Sequence, residues 1–236
     1  MFWGRNISKI IDNKMILESI DIFVKVWEIK TIIWPSWWGK STLLSCLSNI
    51  ENPTNGTIFM DDININFSEN KKIWKKEILH PKLSLLSQWL FLRPHLSVKE
   101  NVLLPLREQW LFDKSAFDDM MKILHIDDLL EKYPMDCSWW ERQRVAIARQ
   151  ILLKPKYLLL DEITSALDIE HIQIIVKILN KIKKKTGIIV VTHMIHFAKK
   201  ISDYIYFLDH GKITEHWTVE ILDTPKTKRL SDFLNL

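Results

Sequence analysis

The chain has 236 residues, 47% of them hydrophobic and 26% charged, which is the composition of an ordinary globular protein. This length allows one large α/β domain with an inserted subdomain and excludes two independent domains plus a membrane unit. The net charge of +4 arises from scattered lysines, which indicates solvated helix faces and argues against nucleic-acid binding. The two cysteines are widely separated, so we expect neither a disulfide framework nor a zinc site. No stretch approaches the roughly 18 apolar residues that a membrane span needs, so we expect any membrane role to come through a partner.

The first third of the chain predicts strands that surround one loop and one helix. Residues 20–26 largely alternate apolar and polar side chains, which is typical of an antiparallel strand with one face in water. A turn is expected at Trp27, and residues 28–33 form the next predicted strand. Residues 40–50 predict a helix, and residues 57–60 predict an edge strand.

Further along the chain, the apolar spacing becomes helical between residues 97 and 153. Residues 157–161 are a continuous apolar run that ends in an acid, which indicates a strand buried on both faces of a parallel sheet. Residues 188–192 repeat that form after an amphipathic helix over 169–185, so this region predicts a β-α-β unit with a right-handed crossover. A hairpin at residues 209–212 and a short helical tail complete the predicted elements.

Together these elements predict an α/β fold with a mainly parallel sheet, an N-terminal antiparallel β subdomain and an inserted α-helical subdomain. We assign a single domain to residues 1–236. Within it, residues 1–87 and 156–236 form the predicted core, and residues 88–155 form the predicted helical subdomain.

A phosphate-binding loop is predicted between the strand at residues 28–33 and the helix that begins at Lys40. This segment fits the pattern G-x-x-x-x-G-K-[ST] at every fixed position except the first, where Trp stands for Gly. Backbone N–H groups must curl around phosphate oxygens there, so the loop needs glycines that tolerate positive φ and close approach. Lys40 would bridge the β- and γ-phosphates of ATP, and Ser41 would ligate Mg²⁺. The predicted nucleotide-binding residues of this loop are Trp34, Pro35, Ser36, Trp37, Trp38, Gly39, Lys40, Ser41 and Thr42.

Three polar residues follow the predicted buried strands, at the edge of the sheet where ligands bind in open α/β folds. Asp161 and Glu162 end the first strand, where two adjacent acids would be costly unless they faced a cation or a water molecule. We assign Asp161 to Mg²⁺ and Glu162 to the attacking water, as general base. His193 ends the next strand, and its position predicts contact with the γ-phosphate.

Tryptophan and glycine occur in inverted numbers, with 11 Trp and 5 Gly. Together they make 16 of 236 residues, close to the usual ~7% for glycine alone. The tryptophans also avoid periodic core positions: Trp34 lies in a loop, Trp139 and Trp140 form a pair after Ser138, and Trp27 and Trp217 lie in polar turn contexts. Our hypothesis is that most or all of them are glycines in the living protein, written as Trp because UGA codons were read with the wrong genetic code. Every Trp codon in the gene should then be UGA, and a set of UGG codons would refute the hypothesis.

The segment Cys137-Ser138-Trp139-Trp140-Glu141-Arg142-Gln143-Arg144 resembles the LSGGERQR signature of ABC ATPases, and the resemblance covers essentially the whole chain. It implies a P-loop NTPase core in which Gln88 is the Q-loop glutamine, a catalytic residue that contacts the metal. Gln88 would also link the nucleotide site to the membrane partners through the helical subdomain. It also implies that residues 165–168 form the D-loop, that Asp168 contributes to the nucleotide site, and that His193 is the switch histidine.

The resemblance further implies how the chain assembles. Ser138, with Trp139 and Trp140 in glycine roles, would bind the γ-phosphate held by the opposite subunit. Two ATP molecules with Mg²⁺ would be sandwiched in a head-to-tail homodimer or heterodimer. Integral-membrane permease subunits would hold this dimer at the cytoplasmic face of the membrane, and a solute-binding protein is a further expected partner through the permease.

Some positions depart from the family pattern. Ile11 stands where an aromatic residue stacks on adenine in the family, and Cys137 replaces the leucine of LSGG. Ile163 replaces the proline that follows the catalytic glutamate, here Glu162. None of these changes removes a catalytic group.

Within the family, residues 93–97 and 224–234 look most similar to ATPases of polar amino-acid importers. Lipoprotein-release and cell-division ATPases share much of this pattern, so they remain alternatives. If the tryptophans are genuine, both the phosphate loop and the signature are blocked, and the chain is a catalytically dead nucleotide-binding subunit. The sequence leaves the transported solute, the transport direction and the permease open.

Overall fold

The computed structural model describes residues 1–35, 39–67, 79, 81–164 and 169–235. In these residues the strands are β1 (Phe2–Ile11), β2 (Lys14–Val24), β3 (Ile29–Ile33), β4 (Asn55–Met60), β5 (Ile63–Asn66), β6 (Leu83–Leu86), β7 (Tyr157–Asp161), β8 (Gly187–Val191), β9 (Tyr204–Asp209) and β10 (Lys212–Thr218). The helices are α1 (Lys40–Leu47), α2 (Val98–Glu108), α3 (Lys114–Ile123), α4 (Trp139–Leu152), α5 (Ile169–Ile182), α6 (Ile195–Ile201) and α7 (Lys228–Leu234). Across the described ranges, none of these helices has the combination of length and apolar character that would let it cross a membrane.

Six strands form the central sheet, in the order β10-β9-β3-β8-β7-β6. All neighbouring pairs are parallel except β9 and β10, which are joined by the hairpin predicted at residues 209–212. Every residue of β3, β7 and β8 is buried, as the continuous apolar run at residues 157–161 predicts for a sheet covered on both faces. The prediction of an α/β fold with a mainly parallel sheet is therefore confirmed.

A second sheet, in the order β2-β1-β4-β5, is antiparallel throughout. In β2 the side chains of Ile20, Ile22 and Val24 are buried while the residues between them are exposed, so the predicted half-exposed antiparallel strand is confirmed. The prediction of an edge strand at residues 57–60 is wrong, because β4 pairs with β1 on one side and with β5 on the other. The edge strand β5 was not predicted, although Ile63-Asn64-Ile65-Asn66 alternates apolar and polar residues, because asparagine is depleted in strands and favours turns.

The helices follow the predicted apolar spacing, with shorter ends. Helix α1 stops at Leu47, three residues early, because Asn49 adopts a left-handed backbone conformation with φ of 55°. Helices α2, α3 and α4 lie between residues 97 and 153 as predicted. Ser97 and Ser138 cap the first turns of α2 and α4 in capping boxes, which satisfy backbone N–H groups that a helix start leaves unpaired. The division of the chain at residues 88–155 stays a prediction.

Candidate functional site

Parallel strands of the central sheet end at one edge and bring the predicted polar residues to it. Asp161 is the last residue of β7 and Glu162 follows it, while His193 comes two residues after β8 and Gln88 two residues after β6. Lys40 opens α1, beyond the loop that follows β3. One cavity of about 420 Å³ is lined by Trp34, Pro35, Lys40, Gln88, Glu162, His193 and Phe233. Six of these seven residues are predicted site residues, and four of them, Lys40, Gln88, Glu162 and His193, are distant from one another in sequence.

Ser41 and Asp161 form a polar pair beside Lys40. The Ser41 hydroxyl donates a hydrogen bond of 2.9 Å to Asp161 Oδ2. Burial raises the pKa of the Asp161 carboxyl above its ordinary value, against the opposing effects of the Ser41 hydrogen bond and the Lys40 charge. Asp161 Oδ1 is buried and has no hydrogen-bond partner among the described residues. Because a buried carboxylate oxygen without a partner is costly, this atom is suited to a cation or a water molecule.

Lys40 and Glu162 are joined by an ion pair in the 420 Å³ cavity. His193 Nδ1 lies 3.8 Å from Glu162 Oε2. Burial lowers the pKa of the Lys40 ammonium, an effect that the negative charge of Asp161 opposes. The backbone of Glu162 is held in a left-handed conformation, with φ of 50° and an N–H that donates to the Val191 carbonyl over 2.9 Å. The cavity therefore holds a cation, a carboxylate and an imidazole within reach of one small ligand group.

The loop before α1 is described only at its ends, and Ser36, Trp37 and Trp38 lie outside the described residues. Gly39 has a φ of 94°, and a Cβ atom there would stand only 3.3 Å from the Ile16 carbonyl oxygen, so this position requires glycine. The Gly39 carbonyl accepts the Leu43 N–H at 2.8 Å and starts the helix, with Thr42 half-buried on its first turn.

Trp34 fills part of the space in front of Lys40. Its side chain is buried, and its ring centroid lies 4.6 Å from Lys40 Nζ. It also meets the His193 ring edge-on at 6.2 Å between centroids. The indole therefore takes up space beside Lys40 and His193 in the 420 Å³ cavity, next to two residues that are predicted to contact phosphate.

The segment that resembles the signature begins helix α4. Ser138 Oγ accepts the Glu141 N–H at 3.3 Å, and Glu141 Oε2 accepts the Ser138 N–H at 2.6 Å. The side chains of Trp139 and Trp140 are exposed. A second cavity, of about 240 Å³, is lined by Gln88, Trp89, Trp139, Gln143 and Glu162. Ser138 and Trp140 are described but line neither cavity, so they lie at an exposed helix start instead of beside Lys40.

Three residues that had no predicted role also line these cavities, Phe233 the first and Trp89 and Gln143 the second. Phe233 comes from α7 and stacks on Phe207 with 5.6 Å between ring centroids. The apolar side chains at positions 230, 233 and 234 were the available signal for that helix face. Gln143 is buried and donates to the Ile163 carbonyl over 2.6 Å, which ties α4 to the residue after Glu162. The predicted D-loop at residues 165–168, including Asp168, lies outside the described residues.

Known proteins resemble this chain over most of its length. The sequence model of the ABC transporter family matches residues 17–165. The chain is 34% identical to the glutamine transport ATP-binding protein GlnQ of Escherichia coli (strain K12), over 98% of this chain and 97% of that protein. It is also 34% identical to the L-cystine import ATP-binding protein TcyC of Bacillus subtilis (strain 168), over 100% of this chain and 98% of that protein.

Solved structures agree with this similarity. A dimeric structure of a bacterial ABC transporter cassette matches with a TM-score of 0.79 and 27% identity, covering 93% of this chain and 99% of that chain. A dimeric post-hydrolysis state of the same cassette, bound to ADP and Pi, matches with the same TM-score of 0.79, the same identity and the same coverage.

Proposed function

This chain belongs to the ABC transporter family and is an ABC ATPase, and from that premise we propose that it drives the import of polar amino acids or similar small solutes. The observation that carries the proposal is the convergence of Lys40, Asp161, Glu162 and His193 at one edge of the central sheet. Relatives named for glutamine transport and for L-cystine import support the class of solute.

ATP would bind with its phosphates at the start of α1, where the helix dipole and Lys40 both attract negative charge. Lys40 would then leave its ion pair with Glu162 and form ion pairs with the β- and γ-phosphate oxygens. Ser41 Oγ and the unpartnered Asp161 Oδ1 fit Mg²⁺, because that cation prefers hard oxygen ligands. Gln88 lines the same cavity and would complete the metal contacts. When bound, Mg²⁺ would neutralise charge on the phosphates.

Hydrolysis would begin at Glu162, which acts as general base. Its carboxylate would take a proton from a water molecule while the water oxygen attacks the γ-phosphorus and ADP leaves with the bond electrons. His193, 3.8 Å from this carboxylate, would hold the γ-phosphate in place. The opposite subunit would supply Ser138 from its exposed helix start, so the complete site would need the dimer.

Glycine at the tryptophan positions is part of this proposal. Trp27 and Trp110 have φ of 79° and 57°, in the left-handed region that favours glycine, and their side chains are 69% and 94% exposed. These backbones support a glycine at both places. The indole of Trp34 beside Lys40 favours the second candidate, a catalytically dead subunit, if the tryptophans are genuine. The codons decide: UGA at all eleven positions supports glycine, and UGG refutes it.

A permease would contact this chain at the segment that follows Gln88. A cavity of about 590 Å³ opens between α2 and α4, with Phe91, Arg93 and Arg149 in its lining. A cytoplasmic segment of the permease would fit this space and place the chain at the cytoplasmic face of the membrane. A solute-binding protein would then act on the chain only through the permease.

The variant Glu162→Gln tests the assigned base in the chain as its own gene encodes it. Binding of Mg-ATP should be kept, and ATP turnover should fall by roughly 10²–10⁴-fold, because the amide cannot accept the water proton. Glu131→Gln is the matched control, since the side chain of Glu131 is 84% exposed and remote from the phosphate loop in sequence. Turnover of Glu162→Gln at the parent rate would contradict the assignment.

A further inference from the structure

Arg149, near the end of α4, holds the segment that follows Gln88. Its guanidinium donates to the Leu90 carbonyl over 2.5 Å and to the Phe91 carbonyl over 2.8 Å, across 59 and 58 residues of sequence. Burial lowers the pKa of Arg149 to about 10, and the positive charge of Arg93 acts in the same direction. The cation is therefore kept in a costly place, where two backbone carbonyls receive its hydrogen bonds.

The backbone that Arg149 holds is strained. Leu90 and Phe91 are consecutive, and both have positive φ, 55° and 45°. Side chains with a Cβ atom disfavour this conformation, so it persists only where surrounding contacts fix it. Because the two carbonyls accept both arms of one guanidinium, the planar fork of arginine selects this arrangement.

The far end of the same segment is fixed separately. Asn101 of α2 accepts the Arg93 N–H at 2.7 Å and donates to the Arg93 carbonyl at 3.0 Å. Between these anchors and β6 stands Gln88, which lines both the 420 Å³ cavity with Lys40 and the 240 Å³ cavity with Trp139. The position of Gln88 thus depends on how the next few residues are held.

We propose that Arg149 is a positioning residue for ATP hydrolysis, and that it sets Gln88 by holding Leu90 and Phe91 in their left-handed conformations. The inference rests on the proposed function, because it assigns Gln88 to the nucleotide site. Helix α4 starts at Trp139, about 15 Å from Arg149 along the helix at 1.5 Å per residue, so one rigid element connects the signature with the Gln88 segment. Phe91 and Arg149 both line the 590 Å³ cavity, so an occupant of that cavity would act on the same contact.

The test is a double-mutant cycle with Arg149→Met and Gln88→Ala, measured as ATP turnover and KM of the full chain as its gene encodes it. Arg149→Met should lower kcat by about tenfold with KM within about threefold, because the loss acts through a residue of the hydrolysis step. Arg149→Lys should recover part of the rate, since lysine can donate to one carbonyl. In the Gln88→Ala background, Arg149→Met should change kcat by less than about twofold.

If the decreases in kcat caused by Arg149→Met and Gln88→Ala are additive in the double variant, the inference is overturned, because Arg149 then does not act through Gln88. Arg107→Met is the matched control: it makes the same change at an exposed position of α2, and it should leave kcat unaltered. If Arg149→Met does not fold, hydrogen exchange of residues 89–93 in Arg149→Lys replaces it, and exchange as slow as in the parent would overturn the inference. A parent chain that binds no Mg-ATP would instead contradict the proposed function, and the exchange experiment would still decide the role of Arg149 in holding the segment.

Discussion

The turn between β2 and β3 offers a direct test of the glycine hypothesis through stability. The Glu28 N–H donates to the Lys25 carbonyl over 3.2 Å, and Trp27 has a φ of 79°, so residues 25–28 form a β-turn with the φ of a type II turn at its third position. That position favours glycine because a Cβ atom clashes with the backbone there. The Trp27 side chain is 69% exposed, so its removal gives up little buried surface.

Two opposing effects determine how much more stable Trp27→Gly should be than Trp27→Ala. A left-handed conformation costs a residue with a Cβ atom about 1–2 kcal/mol. Glycine is more flexible in the unfolded chain, which costs about 0.4–1 kcal/mol. The net prediction is that the glycine variant is more stable than Trp27→Ala by about 0.5–1 kcal/mol, which corresponds to a Tm difference of about 1–4 °C for a chain of this size. Thermal unfolding followed by circular dichroism measures the difference.

Trp217 supplies the matched control for this comparison. The prediction of a turn at Trp217 is wrong, because this residue lies in β10 and pairs with Ile205. It is also absent from the described residues with positive φ. In a strand, alanine should be more stable than glycine by about 0.5–1 kcal/mol. The sign of the glycine-minus-alanine difference should therefore reverse between positions 27 and 217. If Trp27→Ala is more stable than Trp27→Gly, the reasoning is refuted.

Two further stability predictions concern buried or paired carboxylates. Glu215 is buried, and its carboxylate accepts the Lys226 N–H at 2.7 Å and both the N–H and the hydroxyl of Thr227. Glu215→Ala should therefore lower the free energy of unfolding, measured in urea, by about 1–3 kcal/mol. A decrease under ~0.5 kcal/mol would contradict this prediction. Burial of Asp61 favours a higher pKa, but hydrogen bonds from Lys156, Tyr157 and the Met1 amino group hold its pKa down, at about 2. Its stabilising contribution should be complete above the unfolded-state pKa near ~4 and lost as the pH falls from ~4 to ~2, and Asp61→Asn should flatten that part of the pH–stability profile.

Buried parallel strands were the part of the fold that the sequence predicted best. A run such as residues 157–161 has one explanation, burial on both faces, and its last residues must then lie at the ligand edge of the sheet. The same reasoning predicted that Asp161, Glu162 and His193 share that edge. This reasoning could not predict the ion pair of Lys40 with Glu162. The two residues are 122 positions apart, and their contact depends on how β3 and β7 are placed in the sheet.

Features that depend on tertiary contacts were not predictable in this way. The left-handed conformations of Leu90 and Phe91 have no local signal, since both residues are apolar and neither is a turn former. They exist because Arg149 reaches them from another element. Phe233 likewise lines the cavity only because α7 packs against β9.

Mg-ATP binding to the two forms of the chain tests the central claim most directly. One form carries glycine at all eleven tryptophan positions, and the other carries tryptophan as the sequence is written. Calorimetric titration should show one Mg-ATP bound per glycine-form chain, binding lost on Lys40→Ala, and no binding to the tryptophan form, because the Trp34 indole stands beside Lys40. A correctly folded glycine form that binds no Mg-ATP would contradict the account.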